Sequence, residues 1–125
     1  MSRLEHVNIT VSNPTATAEW LGRVFGWRIR WQGAAISGGE TAHIGDDHGY
    51  IAAYAPPKQK PGMASSYATL GGLNHVGVVV DDLAAAEQRV VSEGFVPVNH
   101  GDYEPGRRFY FHDHDGIEWE VVSYA

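Results

Sequence analysis

The second half of this chain repeats the first, and a repeat of that kind obliges the fold to be assembled from two similar units. Leu4-Glu5-His6-Val7-Asn8-Ile9-Thr10-Val11 aligns with Leu73-Asn74-His75-Val76-Gly77-Val78-Val79-Val80, setting His6 and His75 69 positions apart. The same offset lays Asn13-Pro14 over Asp82-Leu83. After a one-residue deletion, an offset of 68 pairs Gly26 with Gly94 and Ala52 with Glu120. The two halves therefore agree at a strand, a helix start and a helix end.

Each copy opens on a strand. Val7, Ile9 and Val11 alternate with His6, Asn8 and Thr10, and Val76, Val78 and Val80 alternate with His75, Gly77 and Val79. That period of two puts a β-branched apolar face under a helix and leaves the histidine face looking into a cavity. Asn13 and Asp82 are helix N-caps, Pro14 suits the first helical position, and Gly26 and Gly94 fit a left-handed helix end. Trp20, Leu21, Val24 and Phe25 form the apolar stripe of the first helix; Leu83, Ala86 and Val90 form that of the second. Three strands follow in each copy, at 27–32, 41–45 and 49–55, then at about 96–100, 107–112 and 117–123. His114-Asp115-Gly116 turns between the last two. The fold class is α+β, built from two βαβββ modules at 3–55 and 73–125, within one domain over 1–125. The Pro-rich stretch 56–72 joins them as a linker, and its length leaves open whether the copies pair within one chain or across a dimer.

Composition narrows the functions. A length of 125 residues suits one compact domain, or two very small modules that share a core. A formal charge of −6, with Arg28 and Arg30 as the nearest approach to a basic cluster and Arg107 and Arg108 elsewhere, argues against nucleic acid. No apolar run is long enough to span a membrane, and the first residues show no signal segment, so a cytoplasmic location is expected. The absence of cysteine removes disulfides and thiolate metal sites, whereas seven histidines make metal binding worth testing.

His6 and His75 occupy equivalent strand starts, and Glu120 lies in the last strand on the same side as Glu118. A buried carboxylate on a strand is costly unless it is paired or bound to a cation. Two imidazoles and one carboxylate make a facial triad for a divalent metal ion (Fe, Mn, Zn, Ni or Co) with positions left for substrate or water. Glu118 reads as the outer, solvated neighbour. His43 and Tyr110 occupy near-equivalent strands and are candidates to line the cavity. His112 and His114 flank Asp113 beside a turn and read as solvated; His48 and His100 read as loop residues. Asp46-Asp47 lacks the further oxygen ligands of a calcium loop. Ser65-Ser66 falls in the linker with no ordered base, so serine hydrolysis is not supported.

These features resemble the vicinal oxygen chelate superfamily, which includes glyoxalase I, type I extradiol dioxygenases, fosfomycin-modifying transferases and bleomycin-resistance proteins. The resemblance rests on the paired modules, the two strand-start histidines and the closing Phe109-Tyr110-Phe111-His112-Asp113-His114-Asp115-Gly116-Ile117-Glu118-Trp119-Glu120-Val121. It implies curled mixed sheets around a metal, two open positions chelating vicinal oxygens of a substrate, and His6, His75 and Glu120 as ligands. It also implies a homodimer. A glyoxalase would place a fourth ligand, which also serves as base, where this chain has Ala52, so a three-ligand site is expected and the lactoylglutathione lyase reaction is put in doubt. His43 and Tyr110 stand as possible counterparts of the catalytic histidine and tyrosine of the dioxygenases.

Two functions compete. One is a metal-dependent enzyme acting on a small oxygen-rich substrate, the metal serving as Lewis acid. The other is a metal-independent protein that binds an aromatic or cationic small molecule, as in the bleomycin-resistance branch. A site retained only as a remnant within an assembly is the third and blandest reading.

Overall fold

A computed structural model describes residues 1–62 and 66–125; Ser65, and with it part of the 56–72 linker, lies outside the described residues. The chain divides into two compact units, Met1–Lys60 and Pro61–Ala125.

In the first unit the order is β1 (His6–Thr10), α1 (Pro14–Phe25), β2 (Arg28–Ala34), β3 (Glu40–Gly45) and β4 (Tyr50–Ala55). A short 3₁₀ turn at Ile36–Gly38, in which Ser37 takes a left-handed φ of 63°, separates β2 from β3. The second unit runs β5 (Val76–Val79), α2 (Leu83–Ser92), β6 (Val98–Asp102), β7 (Arg107–His112) and β8 (Glu118–Ser123). Both sheets are four-stranded, in the orders β1-β4-β3-β2 and β5-β8-β7-β6. In each, the first strand pairs parallel to the last and the other pairings are antiparallel. A parallel neighbour needs a long crossover, and the helix with two intervening strands supplies it.

Local chemistry explains the elements. Asn13 accepts from the Ala16 amide at 3.1 Å and Asp82 from the Ala85 amide at 3.0 Å, each satisfying a donor that the helix start leaves open. Gly26 ends α1 at φ 73°, the left-handed position where glycine alone is unstrained. Helix α2 instead ends on Glu93 in right-handed geometry, with Gly94 one residue further on. Helix α1 packs on β2, β3 and β4, burying Trp20, Leu21 and Val24 against Ile44, Ile51 and Ala53. Helix α2 packs on β7 and β8, burying Ala86 and Val90 with Phe109, Phe111, Trp119 and Val121.

Several boundaries differ from the sequence reading. His75 directly precedes β5 rather than opening it. β6 begins two residues later than expected and carries His100 within the strand, where its Nε2 stands 2.9 Å from Glu87 Oε1. An irregularity in the β6–β7 register, with Asn99 at φ 53°, shifts this strand, and alternation alone cannot register such a shift. The last turn is anchored by Asp113, which accepts from the Asp115 and Ile117 amides at 2.9 and 3.0 Å and from Trp119 Nε1 at 3.1 Å. Burial raises the Asp113 pKa, against those three donors, which lower it. Among the described residues no helix is long and apolar enough to cross a membrane.

Candidate functional site

The open face of the second sheet gathers charge. Glu120 of β8 lies between Gly77 of β5 and Tyr110 of β7, while Glu118 pairs with His112. Alternation carries Trp119 and Val121 into the core, leaving Glu118 and Glu120 together on the other side. His75 Nε2 stands 3.2 Å from Glu120 Oε1, and Arg108 Nη1 donates to Glu120 Oε2 at 2.9 Å. Each oxygen of Glu120 thus meets a different basic side chain.

Glu118 is not the solvated neighbour expected from the sequence. Its side chain is 13% exposed, the same as that of Glu120. It accepts a hydrogen bond from the Tyr67 hydroxyl, with His112 Nε2 at 3.4 Å and His75 Nδ1 at 3.7 Å. That bond pushes the Tyr67 phenol up to about 12. Burial raises the Tyr110 phenol and the nearby charge of Glu120 adds to it, so Tyr110 stays protonated and available as a donor near neutral pH. Its ring meets His75 edge-on at 5.7 Å.

Arg108 was visible in the sequence only as half of a basic pair. Here Nη2 donates to the Pro105 carbonyl and Cζ lies 4.9 Å over the Tyr103 ring. Burial works against its charge, but Glu120 and the neighbouring tyrosines hold its pKa above the ordinary value. The signal for it was the alternation Arg108, Tyr110, His112 against the apolar Phe109 and Phe111. Its use required knowing that β7 lies beside β8.

The first unit places rings where the second places charges. His43 of β3 sits opposite Ala52 of β4 and beside Trp31 of β2, at a centroid distance of 5.3 Å. The Tyr50 ring stacks between His6 at 4.8 Å and His43 at 4.6 Å, with Arg30 Cζ 4.7 Å from its centroid. Gly45 lets β3 close tightly on the start of β4, since a Cβ there would meet Gly49 O at 2.1 Å and the Tyr50 Cβ at 2.8 Å. His6 Nδ1 is 2.8 Å from Glu5 Oε1, and the Tyr50 hydroxyl donates to the same oxygen at 3.2 Å. These partners, His6 first, hold the Glu5 carboxyl below its usual range. Burial lowers the His43 pKa, helped by the nearby charges of His6 and Arg30, so its imidazole is neutral near pH 7. Asp46 caps its own turn by accepting from the His48 and Gly49 amides at 2.8 and 3.2 Å, and Asp47 pairs with Arg28.

Of the proposed ligands, His75 and Glu120 come together in the second unit, while His6 lies in the first. Among the described residues no three His, Cys, Asp or Glu side chains are gathered so as to hold a metal ion. The pair itself fits one. Donors at right angles on metal bonds of about 2.1 Å stand about 3 Å apart, close to the His75–Glu120 separation. His75 Nδ1 is buried without a hydrogen-bond partner and faces Glu118, the type of outer carboxylate that orients a ligating imidazole.

The sequence profile of the Glyoxalase/Bleomycin resistance protein/Dioxygenase superfamily matches residues 3–121. The chain belongs to this superfamily. Solved structures of glyoxalase-like fold agree. A glyoxylase/bleomycin resistance protein/dioxygenase domain from Frankia sp. EAN1pec superposes with a TM-score of 0.83 at 20% identity, covering 98% of each chain. TioX from Micromonospora sp. ML1 gives 0.71 at 21% identity, covering 99% of this chain and 100% of its own. The fosfomycin resistance protein FosX from Listeria monocytogenes gives 0.70 at 16%, covering 98% and 93%. Likenesses at these identities establish the fold alone. Among curated proteins, none matches the chain.

Proposed function

We propose that this superfamily member is a metal-dependent enzyme acting on a small, oxygen-rich molecule. His75 and Glu120 would hold the divalent ion, and His6 is the third ligand that the sequence motif names. The observation that carries the reading is the 3.2 Å approach of His75 Nε2 to Glu120 Oε1 on a half-buried face, beside a protonated phenol. A bound ion would supply Lewis acidity toward the substrate oxygens. Tyr110 would donate a hydrogen bond to an oxygen of the ligand. Neutral His43 is suited to accept a proton. Gly77, whose missing side chain would reach only to 3.9 Å from Glu120, leaves that carboxylate approachable. Assembly as a homodimer belongs to the same proposal, and light scattering measures it.

Elemental analysis of protein purified without added chelator should find close to one Fe, Mn, Zn, Ni or Co per site. The His75→Ala variant should lose both metal and turnover in a screen of diketones, catechols and thiol conjugates. Metal-free protein whose His75→Ala variant behaves as the parent would refute the reading.

Two observations favour a second function, metal-independent binding of a small aromatic or cationic molecule. Glu120 already carries a cation, Arg108, and the rings of His6, Tyr50, His43 and Trp31 form a ladder on the first sheet. The fosfomycin resistance protein among the similar structures makes antibiotics sensible first ligands to screen. Tryptophan quenching that is indifferent to chelator would select this function.

A further inference from the structure

We propose that Arg108 competes with a divalent cation for Glu120 and thereby sets how tightly the site binds one. The inference rests on the metal-dependent reading and adds to it a residue that the ligand motif does not contain.

Arg108 and Glu120 are 12% and 13% exposed, and their contact is a charge-assisted hydrogen bond of 2.9 Å. The guanidinium is fixed on two further sides, by the Pro105 carbonyl and the Tyr103 ring, and its Nε is buried without a partner. A side chain so held cannot swing into water at little cost. The arginine satisfies Oε2 and leaves Oε1 toward His75, so a cation arriving at Oε1 meets a second positive charge across one carboxylate. In a half-buried setting such like charges repel strongly. The first unit supports the pairing of the two residues. Ala52 stands where Glu120 does, and Thr41, two residues before His43, stands where Arg108 precedes Tyr110. Where the carboxylate is missing, the arginine is missing too.

The experiment measures binding of Mn²⁺ and Co²⁺ to the full chain, stripped of metal, by competition with a chromophoric chelator. Wild type is compared with Arg108→Met and Arg108→Lys, and circular dichroism checks that each is folded. Removing the guanidinium should tighten binding by roughly tenfold or more, the equivalent of one charged hydrogen bond released. Arg108→Lys, which keeps the charge, should stay within a few-fold of wild type. The metal-induced rise in Tm should be larger in Arg108→Met than in wild type. If Arg108→Met does not fold, Arg108→Gln serves the same comparison. Equal or weaker binding in the neutral variant overturns the competition and leaves the metal reading standing. Binding by Arg108→Met but not by wild type supports the competition and overturns the metal-dependent reading of the native protein. No binding by either overturns both.

Discussion

In the first unit the neighbouring positions on β4 and β3 are Ala52 and His43; in the second, the matching positions on β8 and β7 are Glu120 and Tyr110. The strand order, the parallel closing pair and the helix caps are common to both units. What differs is the open face, stacked rings in one and paired charges in the other. The sheet scaffold therefore does not prescribe a polar site. It offers two equivalent faces, and a few side chains decide which of them holds a part-buried carboxylate.

The sharpest way to break the comparison is to move the carboxylate. Ala52 is 2% exposed, and Thr41, not an arginine, stands at the position matching Arg108. Ala52→Glu should destabilise the protein by about 3 kcal/mol in urea unfolding, since it forces a larger, charged side chain into a buried site without the arginine that holds Glu120. Adding Thr41→Arg should recover part of the loss. Next in size is the turn anchor of the second unit, which adds a buried indole donor to the turn bonds that Asp46 makes in the first. Asp113→Ala should cost about 2 kcal/mol, because Trp119 Nε1 and two amides lose their acceptor.

How much of this was legible depended on range. The alternation in Val7–Val11 and Val76–Val80, and the caps at Asn13 and Asp82, are local signals, and the elements formed where they pointed. The partners of Glu120 are not local. Arg108 became relevant only through the β7–β8 register, and Glu118 was misread because its covering groups, Tyr67 and His112, come from other segments. Alternation tells which side a residue faces but not what lies over it. The ring ladder has the same origin, since His6, Tyr50, His43 and Trp31 come from four different strands.

Smaller tests should treat the units alike. Asn13→Ala and Asp82→Ala should each cost about 1 kcal/mol, and near-equal losses would sharpen the claim that the scaffold is shared. The smallest effect is pH-dependent and confined to the first unit. The folded His43 pKa lies below 6.5, so the unfolded chain takes up the proton first and stability falls as pH drops through that window. Wild type should therefore lose more Tm than His43→Gln between about pH 7.5 and pH 5.5.

The parallel pairing of β5 with β8 has a consequence for how such a site can change over time. His75 and Glu120 are 45 positions apart in sequence, yet a main-chain ladder sets Val76 beside Trp119 and Gly77 beside Glu120. Loops between α2, β6 and β7 can lengthen, shorten or drift in sequence without altering the spacing of those two side chains. A lineage built on this plan can remodel the surroundings of that face while inheriting the His75–Glu120 pair intact.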